Sequence, residues 1–353
     1  MGNTPSTAQQ SAPTPVSEPA ATNVMPAPPV PPPSTVSPTV QSSQPQPETP
    51  PVLKDDKALA DNPGTYDDLH KACKEIFPQP FEGGRVVIGK GLSSHFQLNH
   101  TMTLGPPNLS GYRFGATYVG SKQFSPQESY PVLLGDIDAS GNLNANIIHA
   151  FTRRTFCRVA AQFQGEKSQT QIVTDYKGSS YTASMTLSNP DLLNLSALVA
   201  AHYLQRITPS FDLGAECVYQ KGGHIPGGQF AMMSLAGKLR GEKWQFATTL
   251  APSGPAGGGC HLSYVHKIND QMQIGSEFET SIGMGESTAS VGYQLELPSA
   301  GVTFKGQFDT NWNIAATLEK KLLDSQIPLA LTLCAIGNQA KSDYKFGIGF
   351  SFG

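Results

Sequence analysis

The stretch Lys345-Phe346-Gly347-Ile348-Gly349-Phe350-Ser351-Phe352, followed only by Gly353, alternates large apolar side chains with small or polar ones. Side chains on a strand have period two, so Phe346, Ile348, Phe350 and Phe352 share one face and Lys345, Gly347, Gly349 and Ser351 the other. One face suits hydrocarbon and the other suits water. This is the residue pattern of a transmembrane β-barrel, apolar outside and polar inside.

The rest of the chain carries the same pattern. Phe96, Leu98, His100, Met102 and Leu104 oppose Gln97, Asn99, Thr101 and Thr103; Tyr112, Phe114, Ala116 and Tyr118 oppose Arg113, Gly115 and Thr117. Phe211, Leu213, Ala215, Cys217 and Tyr219 oppose Asp212, Gly214 and Glu216. Trp312, Ile314, Ala316 and Leu318 oppose Asn313, Ala315, Thr317 and Glu319. Turn signals such as Ser140-Gly141-Asn142, Lys177-Gly178-Ser179 and Asn269-Asp270 separate the runs. From Gly84 onward the runs are about nine to eleven residues, the length that crosses a bilayer at barrel tilt. The count is 18 strands, or 19 if Val132 to Asp138 forms a short one, and an odd number requires the first and last strands to pair in parallel.

Composition agrees. The 353 residues include 35 glycines, only 14% are charged, and the formal net charge is −3. Leu192 to Leu204, among the most apolar stretches, is interrupted by Asn194, Ser196 and His202. It falls short of the ~20 apolar residues of a spanning helix. No basic stripe interleaved with aromatics points to nucleic acid. The five cysteines (Cys73, Cys157, Cys217, Cys260, Cys334) are too widely scattered for a zinc or redox motif, and no cofactor, metal site or catalytic constellation is expected.

Three segments follow. Residues 1–61 hold 15 of the 29 prolines and no Lys or Arg before Lys54, and read as a disordered tail without a cleavable presequence. Met1-Gly2-Asn3-Thr4-Pro5-Ser6 formally fits an acylation pattern at Gly2. Residues 62–78 read as a helix. Thr65 and Asp68 are spaced as a capping-box variant, Lys71 and Lys74 suit its end, Pro78 stops it, and Tyr66, Leu69, Cys73, Ile76 and Phe77 form its apolar stripe. Residues 79–353 are the barrel.

Assigning the apolar face to lipid turns Asp175, Asp212, Glu216, Glu277, Glu279, Glu296, Asp309 and Glu319 inward, with Arg113, Arg158, Lys238, Lys305, Lys321 and Lys345. Eight acids against six bases favour cations through electrostatic focusing. Val173, Val218, Met232 and Val265 share that phase, so the wall suits amphipathic, basic polypeptides.

Asn62-Pro63-Gly64-Thr65-Tyr66, Lys90-Gly91-Leu92-Ser93-Ser94-His95-Phe96-Gln97 and Tyr112-Arg113-Phe114-Gly115-Ala116-Thr117-Tyr118-Val119-Gly120 carry a specific resemblance. So do Ser234-Leu235-Ala236-Gly237-Lys238, Gly292-Tyr293-Gln294-Leu295 and Thr317-Leu318-Glu319-Lys320-Lys321-Leu322. From Asn62 to Gly353 the chain resembles the channel-forming subunit of the translocase of the outer mitochondrial membrane, the TOM complex pore. That resemblance implies a 19-stranded barrel with its N-terminal helix in the lumen, working as a dimer or larger assembly. Its implied partners are central and peripheral receptors, small single-span subunits and membrane lipids. The implied function is conduction of unfolded precursor proteins across the mitochondrial outer membrane, the acidic inner residues docking basic presequences. Lys345, Gly347, Phe350 and Phe352 match the C-terminal sorting signal of mitochondrial barrels. The alternative, a metabolite channel of the voltage-dependent anion type, calls for a basic lumen; an enzyme calls for an inward Ser, His and Asp set that cannot be assembled.

Overall fold

The computed structural model describes residues 61–106, 110–125, 128–165, 167–191, 196–222, 228–251, 258–283, 285–322 and 328–353. The expectations for the proline-rich tail and for Gly2 therefore lie outside the described residues. From Gly83 the chain is built of strands, β1 (Gly83–Gly91) through β19 (Asp343–Phe352), each paired antiparallel with the next. The marginal strand is real and longer than its sequence signal. β4 runs Glu128–Asp138, its first part hidden by Pro131 and by a register shift against β3 (Gly111–Ser125) between Val119 and Lys122.

Closure is by parallel pairing of β1 with β19, from Gly83↔Gly347 to Ile88↔Phe352. An odd strand count permits no other seam, because antiparallel succession leaves strands one and nineteen pointing the same way. Turns after odd-numbered strands lie at the rim that carries Gly353, beside Gly89, and turns after even-numbered strands lie at the far rim.

The outside is apolar. Met102, Leu133, Ile147, Met185, Leu213, Leu235, Val291 and Ile348 are exposed there. Tyr176 and the stacked pair Tyr181 and Tyr203, with Trp244, lie toward the Gly353 rim; Tyr112, Trp312 and Tyr344 lie toward the far rim. Two aromatic belts flanking an apolar band match the interfaces of a bilayer. Trp312 departs from the sequence reading. It sits with φ 60° in the turn before β17 (Asn313–Leu322), its N–H donating to the Asp309 carbonyl, instead of opening the strand.

The expected helix over 62–78 is also shorter. Regular α-helix covers only α1 (Lys71–Lys74). Around it the chain turns through i→i+3 bonds, from Asp68 to the Thr65 carbonyl and from Ile76 to the Cys73 carbonyl. The capping box does not form: the Thr65 hydroxyl donates to the Asp68 carboxylate at 2.6 Å, and the helix instead starts after His70, whose side chain makes no cap bond. Contacts with the wall hold this segment in tight turns, which is how tertiary packing overrides weak local propensity.

Candidate functional site: the lumenal wall and its strap

Residues 61–82 form a strap that enters at the Gly353 rim and leaves toward the far rim. Asn62 is its first anchor. Its Nδ2 donates to the carbonyls of Gly178 (2.9 Å) and Tyr181 (3.1 Å), and its Oδ1 accepts from Thr182 (3.1 Å) in β8 (Tyr181–Asp191) and from Gly64 N–H (2.9 Å). Further along, Gln245 Nε2 reaches the Leu69 carbonyl at 3.4 Å and Lys305 Nζ the Glu75 carbonyl at 2.5 Å.

The apolar stripe read from the sequence is buried in two clusters. Tyr66 and Leu69 pack with Leu204, Ala236 and Ala247; Cys73, Ile76 and Phe77 pack with Val265. Each large apolar side chain so buried stabilises docking by roughly 1.5–3 kcal/mol. Glycines on the inner phase make room. A Cβ on Gly292 would lie 2.4 Å from the Phe77 ring, and one on Gly275 would lie 3.2 Å from Cys73 Sγ and Ile76 Cδ1. Gly275 and Gly292 are cross-strand partners in β14 (Met272–Ser281) and β15 (Glu286–Leu297), so together they form a recess for the strap.

Polar groups of the strap are matched to the wall. The His70 imidazole is half-buried against the wall. Its ring nitrogens meet Ser263 Oγ (2.7 Å) and Thr249 Oγ1 (2.9 Å), and its ring stacks on His261 at 3.8 Å. The Cys73 thiol is buried, and it donates to the Ser276 carbonyl at 3.4 Å. With Cys73 as the sole cysteine, maleimide labelling of the folded barrel near neutral pH is therefore expected to be much slower than labelling of the unfolded chain. Rapid labelling of the folded protein would show that the strap does not stay docked.

The eight inward acids occupy different settings. Asp212, in β10 (Phe211–Lys221), is fully buried between two guanidinium groups, with Arg206 Nε 3.3 Å from Oδ1 and Arg240 bonded to Oδ2. Arg206 also donates to the Asn62 carbonyl at 3.1 Å, tying this cluster to the strap. Asp309 is committed to a turn: Oδ1 accepts from the N–H groups of Asn311 and Asn313, and Oδ2 from Asn313 Nδ2. Asp138 repeats this geometry with Ser140 and Asn142. Glu216 pairs with His202 at 3.1 Å, beneath the Tyr66 ring, and Glu277 pairs with His261 at 2.5 Å.

Glu279, by contrast, is 61% exposed at its side chain, and Glu319 is 42% exposed beside Lys321. Glu296 accepts from Gln294 at 2.5 Å, and Asp175 is half-buried opposite Phe156. Across the ladder, Glu296 and Glu319 both face Thr303, near the Gly353 rim, while Glu279 lies toward the far rim.

Among the basic residues, Arg158 lies opposite Val173, Lys238 opposite Asp212, and Arg113 3.3 Å from Asp136. The register also turns Asp136, Asp138, Arg85, Arg206 and Arg240 inward, which narrows the margin of eight acids over six bases. Partners such as Arg240 were missed because they lie across hairpins whose register composition does not reveal. The Asp-x-x-x-Asn spacing at 138–142 and 309–313 was a signal that could have marked those acids as turn anchors.

In the C-terminal strand, Lys345 pairs with Glu82 at 2.9 Å, Gly347 lies under the Phe81 backbone, Phe350 faces outward, and Phe352 pairs with Ile88 and Leu329.

A closed barrel, apolar outside and lined by charged side chains, defines a membrane channel protein. The eukaryotic porin family model matches residues 62–347. Over 293 residues, 83% of this chain, it is 47% identical to the mitochondrial import receptor subunit TOM40 homolog of Xenopus laevis, covering 84% of that protein. It is 46% identical to the Homo sapiens protein of the same name, covering 78% of it, and 44% identical to the homolog 2 of Drosophila melanogaster, covering 84%. The chain belongs to the eukaryotic porin family and, within it, to the TOM40 channel subunits of mitochondrial protein import.

Proposed function

We propose that the barrel conducts unfolded, basic precursor polypeptides through the mitochondrial outer membrane, and that its water-facing carboxylates act as weak successive docking points. The observation that carries this reading is that Arg113 (55%), Glu279 (61%) and Lys321 (64%) point inward yet remain exposed. Charges turned into a barrel keep such exposure only where water fills it, since dry burial would cost several kcal/mol per ion.

Glu279, Glu296, Glu319 and Asp175 are the docking candidates. Glu216 and Glu277 are partly satisfied by histidine, and Asp212 and Asp309 serve the wall itself. Docking on exposed carboxylates is worth no more than about 1 kcal/mol each, which suits a path that must release what it attracts. Val173, Val218, Met232 and Val265 accommodate apolar segments, although Val265 is covered by the strap. Lys345, Gly347, Phe350 and Phe352 act as the sorting signal, and the other translocase subunits assemble around the barrel as a dimer or larger complex. A metabolite channel for anions is the weaker reading, because the exposed carboxylates would repel its cargo.

The test is single-channel current from the reconstituted chain with a basic amphipathic peptide on one side. Wild type should prefer cations and flicker with peptide. Glu279→Gln combined with Glu319→Gln should lose most of the preference and shorten the blockades. Unchanged selectivity and blockade in that variant would remove these residues from the docking role, and an anion-preferring wild type would reverse the reading.

A further inference from the structure

We propose that His261, Glu277 and Glu279 form a binding site for one divalent transition-metal ion on the lumenal wall, with Zn²⁺ the ion best suited to its donors. β13 (Gly259–Lys267) and β14 pair so that His261 lies opposite Glu279 and Ser263 opposite Glu277. The two-residue period of β14 sends both carboxylates inward on the same side as the imidazole. One donor atom from each residue lies within 4.8 Å of the other two.

His261 Nε2 is 3.5 Å from Glu279 Oε1 and 2.5 Å from Glu277 Oε1. Donors at ~2.0–2.2 Å from zinc stand about 3.3–3.5 Å apart in a tetrahedral arrangement. The first separation already fits, and the second needs only a rotation of the Glu277 side chain. Zn²⁺ would take the place of the hydrogen between Nε2 and the Glu277 carboxylate; a neutral imidazole moves that hydrogen to Nδ1, and an imidazolium releases it to solvent.

One neighbour organises the imidazole without competing for the ion. His70 stacks on the His261 ring at 3.8 Å, fixing its plane, while both His70 nitrogens are engaged by Ser263 and Thr249. Ring orientation by surrounding groups is a common support for histidine ligation. Exposure is graded as an entry path requires: Glu279 reaches into water at 61%, whereas His261 (21%) and Glu277 (15%) lie against the wall. Three protein donors leave a fourth position for water. An imidazole with two carboxylates selects zinc-like ions over Mg²⁺ or Ca²⁺, which favour all-oxygen shells. Lys74 lies within electrostatic range of Glu277 and opposes the ion, so affinity should be moderate.

An occupied site would neutralise Glu279, the docking candidate in this cluster, making zinc a brake on entry. This regulatory consequence rests on the docking reading above; the binding site does not.

The experiment titrates Zn²⁺ into the full chain, refolded without a histidine tag, by calorimetry, with circular dichroism confirming an intact barrel. One ion per chain is expected, with affinity lowered at least about tenfold in His261→Gln and in Glu277→Gln. Glu279→Gln, at an exposed position, should show the same loss with the fold unaffected. Co²⁺ in place of Zn²⁺ should give visible absorption of four-coordinate type in wild type alone. No stoichiometric uptake by an intact barrel, or equal uptake by His261→Gln, overturns the site. In bilayers, zinc should lower the cation preference of wild type and leave His261→Gln unmoved. Stoichiometric binding with unchanged current would uphold the site and overturn the docking role of Glu279.

Discussion

Asp212→Asn is expected to lower the stability of the folded barrel by about 3–5 kcal/mol, because it leaves two guanidinium groups facing each other around a neutral amide in a water-poor site. Asp212 is fully buried, and the side chains of Arg206 and Arg240 are only 15% and 29% exposed. Without the carboxylate, Arg206 keeps only the exposed Asp61 at 3.7 Å, and Arg240 loses the carboxylate it is paired with. The damage should spread, since Arg206 also holds the Asn62 carbonyl. A denaturant titration of the micelle-embedded barrel followed by tryptophan fluorescence reads the shift. Labelling of Cys73 in the same variant reads undocking of the strap. A midpoint equal to wild type would mean that water, and not Asp212, balances the arginines.

Gly347→Ala is expected to be nearly as damaging, at the seam. A Cβ there would lie 2.1 Å from the Phe81 carbonyl oxygen and 3.0 Å from its carbon, a backbone contact that no rotamer change relieves. Either the strap must back away from the wall or β1 and β19 must part. Overpacking of this kind costs roughly 1–3 kcal/mol where side chains can yield, and more where backbone is struck. Gly349→Ala is the milder comparison, since its Cβ would meet the far end of the Phe81 ring at 2.8 Å. Refolding into micelles, where no sorting machinery exists, separates the two roles proposed for Gly347. Loss of the folded barrel in micelles is the expected result. Normal micelle folding with failed insertion in isolated mitochondria would assign Gly347 to signal recognition alone.

The wall was legible because lipid and water enforce period two on every strand, so that Phe346 and Ile348 announce their side without any knowledge of partners. β4 was nearly lost because Pro131 and a register shift blur that period over its first half. The helix was overextended for the opposite reason. Tyr66, Leu69, Cys73 and Ile76 have the right spacing, but the recess at Gly275 and Gly292 dictates how the backbone turns, and that recess is assembled from residues some 200 positions away. The roles of the acids were the least readable. Phase says that Asp212 and Glu279 both point inward; only register says that one is locked between arginines and the other faces water. The same gap hid His261 beside Glu277, which are neighbours only across the β13–β14 ladder.

Parity has a topographic consequence. Nineteen crossings would deliver the first and last strand residues to opposite membrane faces, but the strap adds a twentieth passage through the lumen. Asp61 and Asn62, beside the Gly178 turn, therefore sit on the same side of the membrane as Gly353. Reporters attached at both places should be shielded from, or cut by, an external protease together.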